Sequence, residues 1–415
     1  MGKQIEEKTQ IKLVRMLAAA ATLMVCLTRI SMAAGEVMNG IILLLGLVLW
    51  HRCRRDIVLE PEIKGYVRAY LIFVLTTLPS VLFGGSLAKG IHEFLQMWIW
   101  RYVVFLPVVS FIRKKEMLWK MLTAYTVLFS VDCLLTLVQV VLKLGNNDRG
   151  WGLGGSQLGI ASIICMMLPL CVIFLLDEGF PPLLKKAAAL DFAAIWVALF
   201  CNQSRGSWLN TILMLPALAA AYFKRKKQVI AVVLVFFAVS AGVLAAKPGL
   251  RARFLSIGET VEGREHANRF SGWISCIHMV EDHPVCGIGL GRWHDFYRSQ
   301  YRLPTDTEAL NHAHNNYFHL AAETGLLGFL GLCYFTLYYV VTSFRGWLRD
   351  RNPYDLMLLC CFLGYVVIFG QVEYTLDLTS GVRIFWFLSA VSLALKMTVR
   401  REKQDGIESS QKKIV

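Results

Sequence analysis

Long apolar runs separated by short polar breaks make up almost the whole chain. A helix needs about 20 apolar residues to cross a ~30 Å hydrocarbon core. On that measure the pattern predicts twelve membrane-spanning helices, at roughly 14–33, 36–51, 66–84, 93–112, 117–142, 156–176, 186–201, 207–223, 229–246, 318–343, 355–371 and 381–398. The expected fold class is therefore all-α, a polytopic membrane helix bundle. The first run follows Lys3, Lys8, Lys12 and Arg15 and ends near Ser31-Met32-Ala33, in the manner of a signal peptide. Arg29 interrupts it and many spans follow, so it reads as an uncleaved first span.

One stretch interrupts the pattern. The segment from Lys247 to Phe318 is polar, lies between the ninth and tenth spans, and holds six of the nine histidines. Asn268 is placed to cap a helix reaching about Asp282, stopped by Pro284. Phe270, Trp273, Ile274 and Ile277 share one face of that helix. Gly287, Gly289 and Gly291 then make a flexible turn, and a second short helix is expected from Trp293 to Tyr301. The chain divides accordingly into spans one to nine (1–246), a loop domain (247–317), spans ten to twelve (318–398) and a polar tail (399–415). The last fifteen residues read as disordered.

Charge orients this arrangement. Basic clusters occupy alternate breaks: Arg52, Arg54 and Arg55; Arg113-Lys114-Lys115; Lys185-Lys186; Lys224-Arg225-Lys226-Lys227; Arg345, Arg349 and Arg351; Arg400, Arg401 and Lys403. The positive-inside rule makes that face cytoplasmic, with both termini on it. The polar segment falls on the other face. Its eight basic residues are balanced by eight acidic ones, so its arginines need an explanation other than topology.

Composition agrees with the pattern. The 415 residues are 56% hydrophobic, with a mean hydropathy of +0.52, which excludes an ordinary soluble domain. A net charge of +14 would suggest nucleic acid in a soluble protein; here the topogenic clusters account for most of it, and no nucleic-acid partner is implied. The eleven cysteines show no metal-ligand spacing and read as small core residues. Cys276 and Cys286, in the polar segment, are the one candidate disulfide.

Three stretches carry candidate chemistry. In Gln203-Ser204-Arg205-Gly206-Ser207-Trp208, an arginine sits where one span ends and the next begins, on the face that topogenic arginines avoid. Its planar fork of donors suits phosphate oxygens, and the free N–H groups of a helix starting near Ser207 add to such an anion site. In Gly263-Arg264-Glu265-His266-Ala267-Asn268-Arg269, Arg264 has local carboxylates to pair with, whereas Arg269 borders the apolar face carrying Trp273. In His312-Ala313-His314-Asn315-Asn316, a histidine at a helix start can accept a proton near neutral pH. His312 and His314 alternate like metal ligands, but with no cysteine or carboxylate nearby in sequence no metal is expected. Asn315 or Asn316 is also a candidate cap. Within the membrane, Arg101 and Asp132 are mid-span charges, which are costly unless paired. Either they pair with each other as a structural ion pair, or Arg101 opens into the outer cavity, which Glu373, Asp377 and Arg383 also border. Gly287-x-Gly289-x-Gly291 lacks the spacing and the strand–helix context of a dinucleotide site. No cofactor is implied.

Taken together these stretches resemble the O-antigen ligase / O-antigen polymerase family of bacterial envelope glycosyltransferases. The resemblance covers the topology of most of the chain. It is most specific in Ser204-Arg205-Gly206, in Arg269 to Trp273 with Pro284, Gly287 and Gly289, and in His314-Asn315 with Gly325 and Gly328. It implies an inner-membrane enzyme whose site faces the periplasm and whose donor is a glycan on undecaprenyl pyrophosphate. It further implies metal-independent, inverting transfer to an acceptor sugar, with His314, Arg205 and Arg269 as catalytic residues. Arg101, Arg264, Arg292, His312 and Asn315 are expected to bind substrate. Length and the His314-Asn315…Gly325…Gly328 pattern favour ligation to lipid A–core in lipopolysaccharide biosynthesis; repeat-unit polymerisation is the alternative. A transporter or flippase of lipid-linked sugars, from another class, would be expected to show inverted repeats, and no such symmetry is visible in the sequence.

Overall fold

A computed structural model describes residues 2–53, 60–144, 148–222, 226–256, 264–304, 306 and 309–412, with no side-chain description for 2–7, 226–233, 264–268 and 406–412. Every regular element among these residues is a helix. In chain order they are α1 (Gly2–Thr28), α2 (Met32–Arg52), α3 (Pro61–Phe83), α4 (Leu87–Phe111), α5 (Lys115–Val141), α6 (Gln157–Leu176), α7 (Pro182–Asn202) and α8 (Arg205–Ala221). They continue with α9 (Lys226–Ala246), α10 (Pro248–Leu255), α11 (Arg264–Asp282), α12 (Trp293–Phe296), α13 (Asn316–Asp350), α14 (Pro353–Gln371) and α15 (Thr379–Lys412).

Nine of the described helices, α1–α6 and α13–α15, are long and apolar enough to cross a membrane; the protein is a polytopic helical membrane protein. Counting α9 and α10 as one broken span, bent by 115°, makes a tenth. The spans expected at 186–201 and 207–223 are helices as well, but α7 carries Lys185, Lys186 and Asp191, and α8 is only 17 residues long. The polar residues after 398 continue α15 as far as Lys412 instead of ending it. Ion pairs from Arg401 to Glu60 and from Lys115 to Glu402 hold that extension against neighbouring helices.

Burial shows where the centre lies. The most apolar windows of α15 and α6 are 94% and 89% buried, whereas that of α2 is 28% buried. A helix apolar all round belongs inside; one with an exposed apolar face belongs against lipid. Tyr70, Phe73, Tyr102, Phe335 and Trp386 interlock by edge and stacked contacts in the core. Arg29 of the α1–α2 turn pairs with Asp132 of α5 at 2.7 Å, both buried. Asp132 also accepts the Leu153 N–H, so the pair fastens the loop after α5 to the bundle.

The polar segment is built onto the start of α13. That helix breaks at Gly325, whose φ of 65° and ψ of −168° lie outside the helical region. The freed carbonyls of Ala322 and Glu323 accept the N–H groups of Ile288 and Gly289, and the Leu326 N–H reaches the Pro284 carbonyl at 2.8 Å. A side chain at Gly325 would collide with the Val285 carbonyl, so a glycine is needed where the loop meets the helix. Helix α11 starts at Arg264, earlier than the Asn268 cap predicted, and ends at Asp282 as expected. The expected second helix is α12 extended by a wider turn to Tyr301. Cys276 and Cys286 are both free; the Cys276 sulfur accepts the Trp293 indole N–H instead.

A candidate active site around Glu373

Residues 312–316 lead into α13 with their side chains fixed by local rules. Asn315 caps the helix, its carbonyl oxygen accepting the N–H groups of Tyr317 and Phe318. Its amide donates to the Gln371 carbonyl at 3.1 Å. Asn316, fully buried, donates to Thr375 Oγ1 and to the Val366 carbonyl, and accepts the Thr375 and Leu376 N–H groups. These two asparagines clamp the turn between α14 and α15 onto the start of α13. His314 takes a left-handed backbone with φ of 50°, uncommon for a residue with a side chain.

The clamp sets a buried carboxylate between two imidazoles. Glu373, 1% exposed, lies with Oε2 3.2 Å from His314 Nδ1 and Oε1 3.3 Å from His312 Nε2. The Tyr374 N–H donates to Oε1 as well. The His314 N–H donates to His312 Nδ1 at 3.3 Å, and the two rings lie 4.1 Å apart. Burial alone would raise the Glu373 carboxyl. The His314 hydrogen bond and the charges of His314, His312 and Arg269 outweigh it, so the group lies below the usual carboxylate range. Burial also pushes His312 down, to about 4, against the opposing pull of Glu373.

The predicted arginines divide. Arg269, near the start of α11, is close enough for its charge to act on both His312 and Glu373. One turn on, Trp273 donates its indole N–H to the Ala313 carbonyl at 2.8 Å and stacks on Phe318, docking α11 against 312–318. Arg205 opens α8 and bonds Ser256 Oγ at 3.3 Å. The next residue, Gly206, lies flat against the Glu373 turn: a Cβ there would stand 2.7 Å from Phe369 Cε2 and 2.9 Å from Val372 Cγ2. The N-terminus of α8 and the Arg269 end of α11 thus both adjoin the segment that carries Glu373.

The remaining assignments fare differently. Arg101 does not pair with Asp132, which Arg29 has taken; its partner is Asp377, one of the residues expected to border the outer cavity. It is 7% exposed and donates to the Leu376 carbonyl at 2.9 Å and to Asp377 at 3.0 Å, tethering the turn two residues beyond Glu373. Asp132 is one of two alternatives that the sequence leaves open for Arg101, but the α1–α2 turn brings Arg29 to Asp132 instead. Arg292 donates to the Gly84 carbonyl and lies over the Phe296 ring, at the junction with α3 rather than beside the histidines. The Arg264 side chain lies outside the described residues. Asn315 spends its amide on the helix cap and on Gln371.

Glu373 is named in the sequence only as bordering the outer cavity, with no chemical role. The signal available was a carboxylate in a short turn between two apolar spans, on the face opposite the basic clusters. Its presence also removes the ground on which a metal was set aside. His312, His314 and Glu373 each offer a ligand atom, all within 4.8 Å of one another, and two histidines with a carboxylate suit a divalent transition ion by donor type.

The fold and this site define a polytopic membrane protein with arginines, histidines and the buried Glu373 carboxylate gathered at a single face of its bundle. Residues 190–333 match the family model described as O-antigen ligase, so that this segment is similar to the O-antigen ligase family. The matched segment holds Arg205, Arg269, His312, His314 and Asn315; Arg101 and Glu373 lie outside it. No curated protein matches the chain.

Proposed function

We propose that this protein is a membrane glycosyltransferase that moves a glycan from undecaprenyl pyrophosphate to an acceptor sugar hydroxyl, in ligation of O-antigen to lipid A–core. The observation that carries the reading is the meeting of His314 with Arg269 and the Arg205–Gly206 helix start around one turn. In the expected orientation this face is periplasmic and the basic clusters face the cytoplasm. The family match supports the reaction class, glycan transfer of the ligase or polymerase type.

In this mechanism Arg205 and Arg269 bind the diphosphate from two directions and stabilise the charge that grows as it leaves. His314 takes the proton of the acceptor hydroxyl. The hydroxyl oxygen forms a bond to the anomeric carbon from the side opposite the diphosphate. The carbon–oxygen bond to the diphosphate breaks, its electron pair stays on the leaving group, and the configuration inverts. The activated donor supplies the driving force, so the reaction needs no nucleotide.

The test is transfer by purified protein from a polyprenyl-pyrophosphate glycan to lipid A–core. Arg205→Ala, Arg269→Ala and His314→Ala, each inserted normally, are expected to lose transfer by at least about a hundredfold. Full transfer by Arg205→Ala and His314→Ala sinks the mechanism. Elongated lipid-linked glycan in place of modified lipid A–core would make the protein a polymerase.

A further inference from the structure

Glu373 is a buried carboxylate with His314 hydrogen-bonded to Oε2 and His312 3.3 Å from Oε1, and the reaction above does not use it. Resting on the reading of His314 as the base, we infer that Glu373 is the positioning residue of that base: it holds the proton on His314 Nδ1 and so leaves Nε2 with the free electron pair that attacks the acceptor proton.

The hydrogen-bond pattern supplies the argument. An ionised carboxylate only accepts, so the 3.2 Å contact with His314 Nδ1 requires the proton to sit on that nitrogen. Neutral imidazole carries one proton, so Nε2 is then the acceptor. The second histidine follows from the same rule in the opposite sense. His312 Nδ1 accepts the His314 backbone N–H, which puts the His312 proton on Nε2, pointing to Glu373 Oε1. His312 thereby presents a neutral N–H 3.3 Å from the carboxylate, close to it, while His314 makes the hydrogen bond. Every donor and acceptor of the three side chains is consistent with one proton arrangement.

The carboxylate is itself fixed. Asn316 holds Thr375 and Leu376, Arg101 holds Leu376 and Asp377, and the Tyr374 N–H closes on Oε1. A base held by a rigid carboxylate loses little freedom when it reaches the transition state. During transfer the proton moves from the acceptor hydroxyl to Nε2, making an imidazolium whose charge Glu373 balances; the proton then leaves to the released diphosphate. The charged and titratable groups around the pair are His312, His319 and Arg269.

The measurement has two parts. In full-length protein in nanodiscs, histidine 15N resonances, with His314 assigned by difference against His314→Gln, are expected to show the proton on Nδ1. A proton on Nε2 overturns the inference. Glu373→Gln replaces the acceptor oxygen with an amide able to donate to Nδ1, which reverses the tautomer. It is expected to cut kcat on the order of 10³–10⁴-fold with donor KM within about twofold. Glu373→Asp is expected to recover part of kcat. Undiminished kcat in Glu373→Gln, or a change in KM alone, contradicts the assignment. Loss of wild-type activity to a chelator, restored by zinc, does so too, because a metal would then occupy Nδ1. Full transfer by His314→Ala removes the base itself, and with it both readings; His314→Ala inactive beside a fully active Glu373→Gln removes this one only.

Discussion

Asn316 and Thr375, 59 residues apart, bond to each other twice: the asparagine amide donates to Thr375 Oγ1 at 2.7 Å, and the Thr375 N–H donates back to the asparagine oxygen at 2.8 Å. Both residues are fully buried. This exchange is what brings the α14–α15 turn to the start of α13 and sets Glu373 beside His314. Asn316→Ala leaves the partly buried Leu376 N–H without its acceptor, at a cost of about 1–3 kcal/mol, and leaves the Thr375 N–H with the Glu373 carbonyl at 3.1 Å. Asn316→Asp keeps the acceptor but removes the donor and adds a charge facing the Val366 carbonyl. Both variants are expected to lower the thermal unfolding temperature and to reduce transfer more than donor binding, Asp more than Ala. Steady-state kinetics alongside thermal unfolding in detergent checks this; wild-type kcat in both variants would refute the positioning role of the clamp.

His312 makes the site acid-sensitive. Its pKa falls from 6.5 to about 4, so the folded protein resists a proton that the unfolded chain takes up below 6.5. Between those values the unfolded state binds more protons, and stability therefore rises with pH. Falling pH removes this contribution progressively from about 6.5 to about 4. The depressed Glu373 carboxyl acts in the same sense, losing its contribution as pH falls through its folded value. His312→Gln keeps a donor facing Glu373 but cannot titrate. Its unfolding temperature is expected to change less between pH 7 and pH 5 than that of the wild type. Equal acid sensitivity of the two proteins would show that the proton is taken elsewhere.

How much of this was legible from the sequence follows from the range of each interaction. The spans are written locally, as runs of apolar residues, and the helix ends at Asp282 and Tyr301 follow from Pro284 and from local composition. Arg269 was singled out because Trp273, four residues on, marked an apolar face. In the structure Trp273 docks on Ala313 and Phe318, but Phe270, Ile274 and Ile277 are exposed and the buried face runs through Gly272, Ser275, Cys276 and Met279. The pairings across the bundle were not readable. Arg101 had Asp132 as its nearest candidate in sequence, yet Arg29, 103 residues from Asp132, arrives by the packing of α1 on α5. Glu373 stands 59 residues from His314, and nothing in either local pattern encodes their meeting. Arg292 looked like its neighbours in the polar segment; only its bond to Gly84 shows that it fastens the loop to α3.

The Arg29–Asp132 pair gives a stability prediction apart from chemistry. Both side chains are almost fully buried, and Arg29 also reaches the Trp151 carbonyl. Removing one partner leaves a charge unpaired in the bundle, which costs about 3–5 kcal/mol. Arg29→Met and Asp132→Leu are each expected to lower insertion yield and unfolding temperature sharply. The double variant should recover part of the loss, limited by the Leu153 N–H that Asp132 no longer accepts. A double-mutant cycle on unfolding in detergent measures the coupling; additive losses would show that the two charges are not paired.

Gly206 offers the sharpest separation of packing from charge at the site. The residue carries no functional group, yet it lies against Phe369 and Val372, directly before Glu373. A methyl group there meets Phe369 Cε2 at 2.7 Å and Val372 Cγ2 at 2.9 Å, closer than carbon atoms approach without displacement. The neighbours are a ring edge and a valine methyl on a turn that Asn316 and Arg101 hold at its far end. The strain is therefore expected to fall on the 371–373 stretch and on the start of α8. A displacement of about 1 Å at a positioned catalytic group costs on the order of a hundredfold in rate. Gly206→Ala should accordingly insert and fold, retain its overall helicity, and lose kcat by about ten- to a hundredfold without touching a charged residue. Val372→Ala removes one of the two obstructing side chains, and in combination it is expected to restore part of that loss. Transfer kinetics of the two single variants and the double variant decide the point: a Gly206→Ala protein with wild-type kcat means that the helix start and the Glu373 turn are not mechanically coupled.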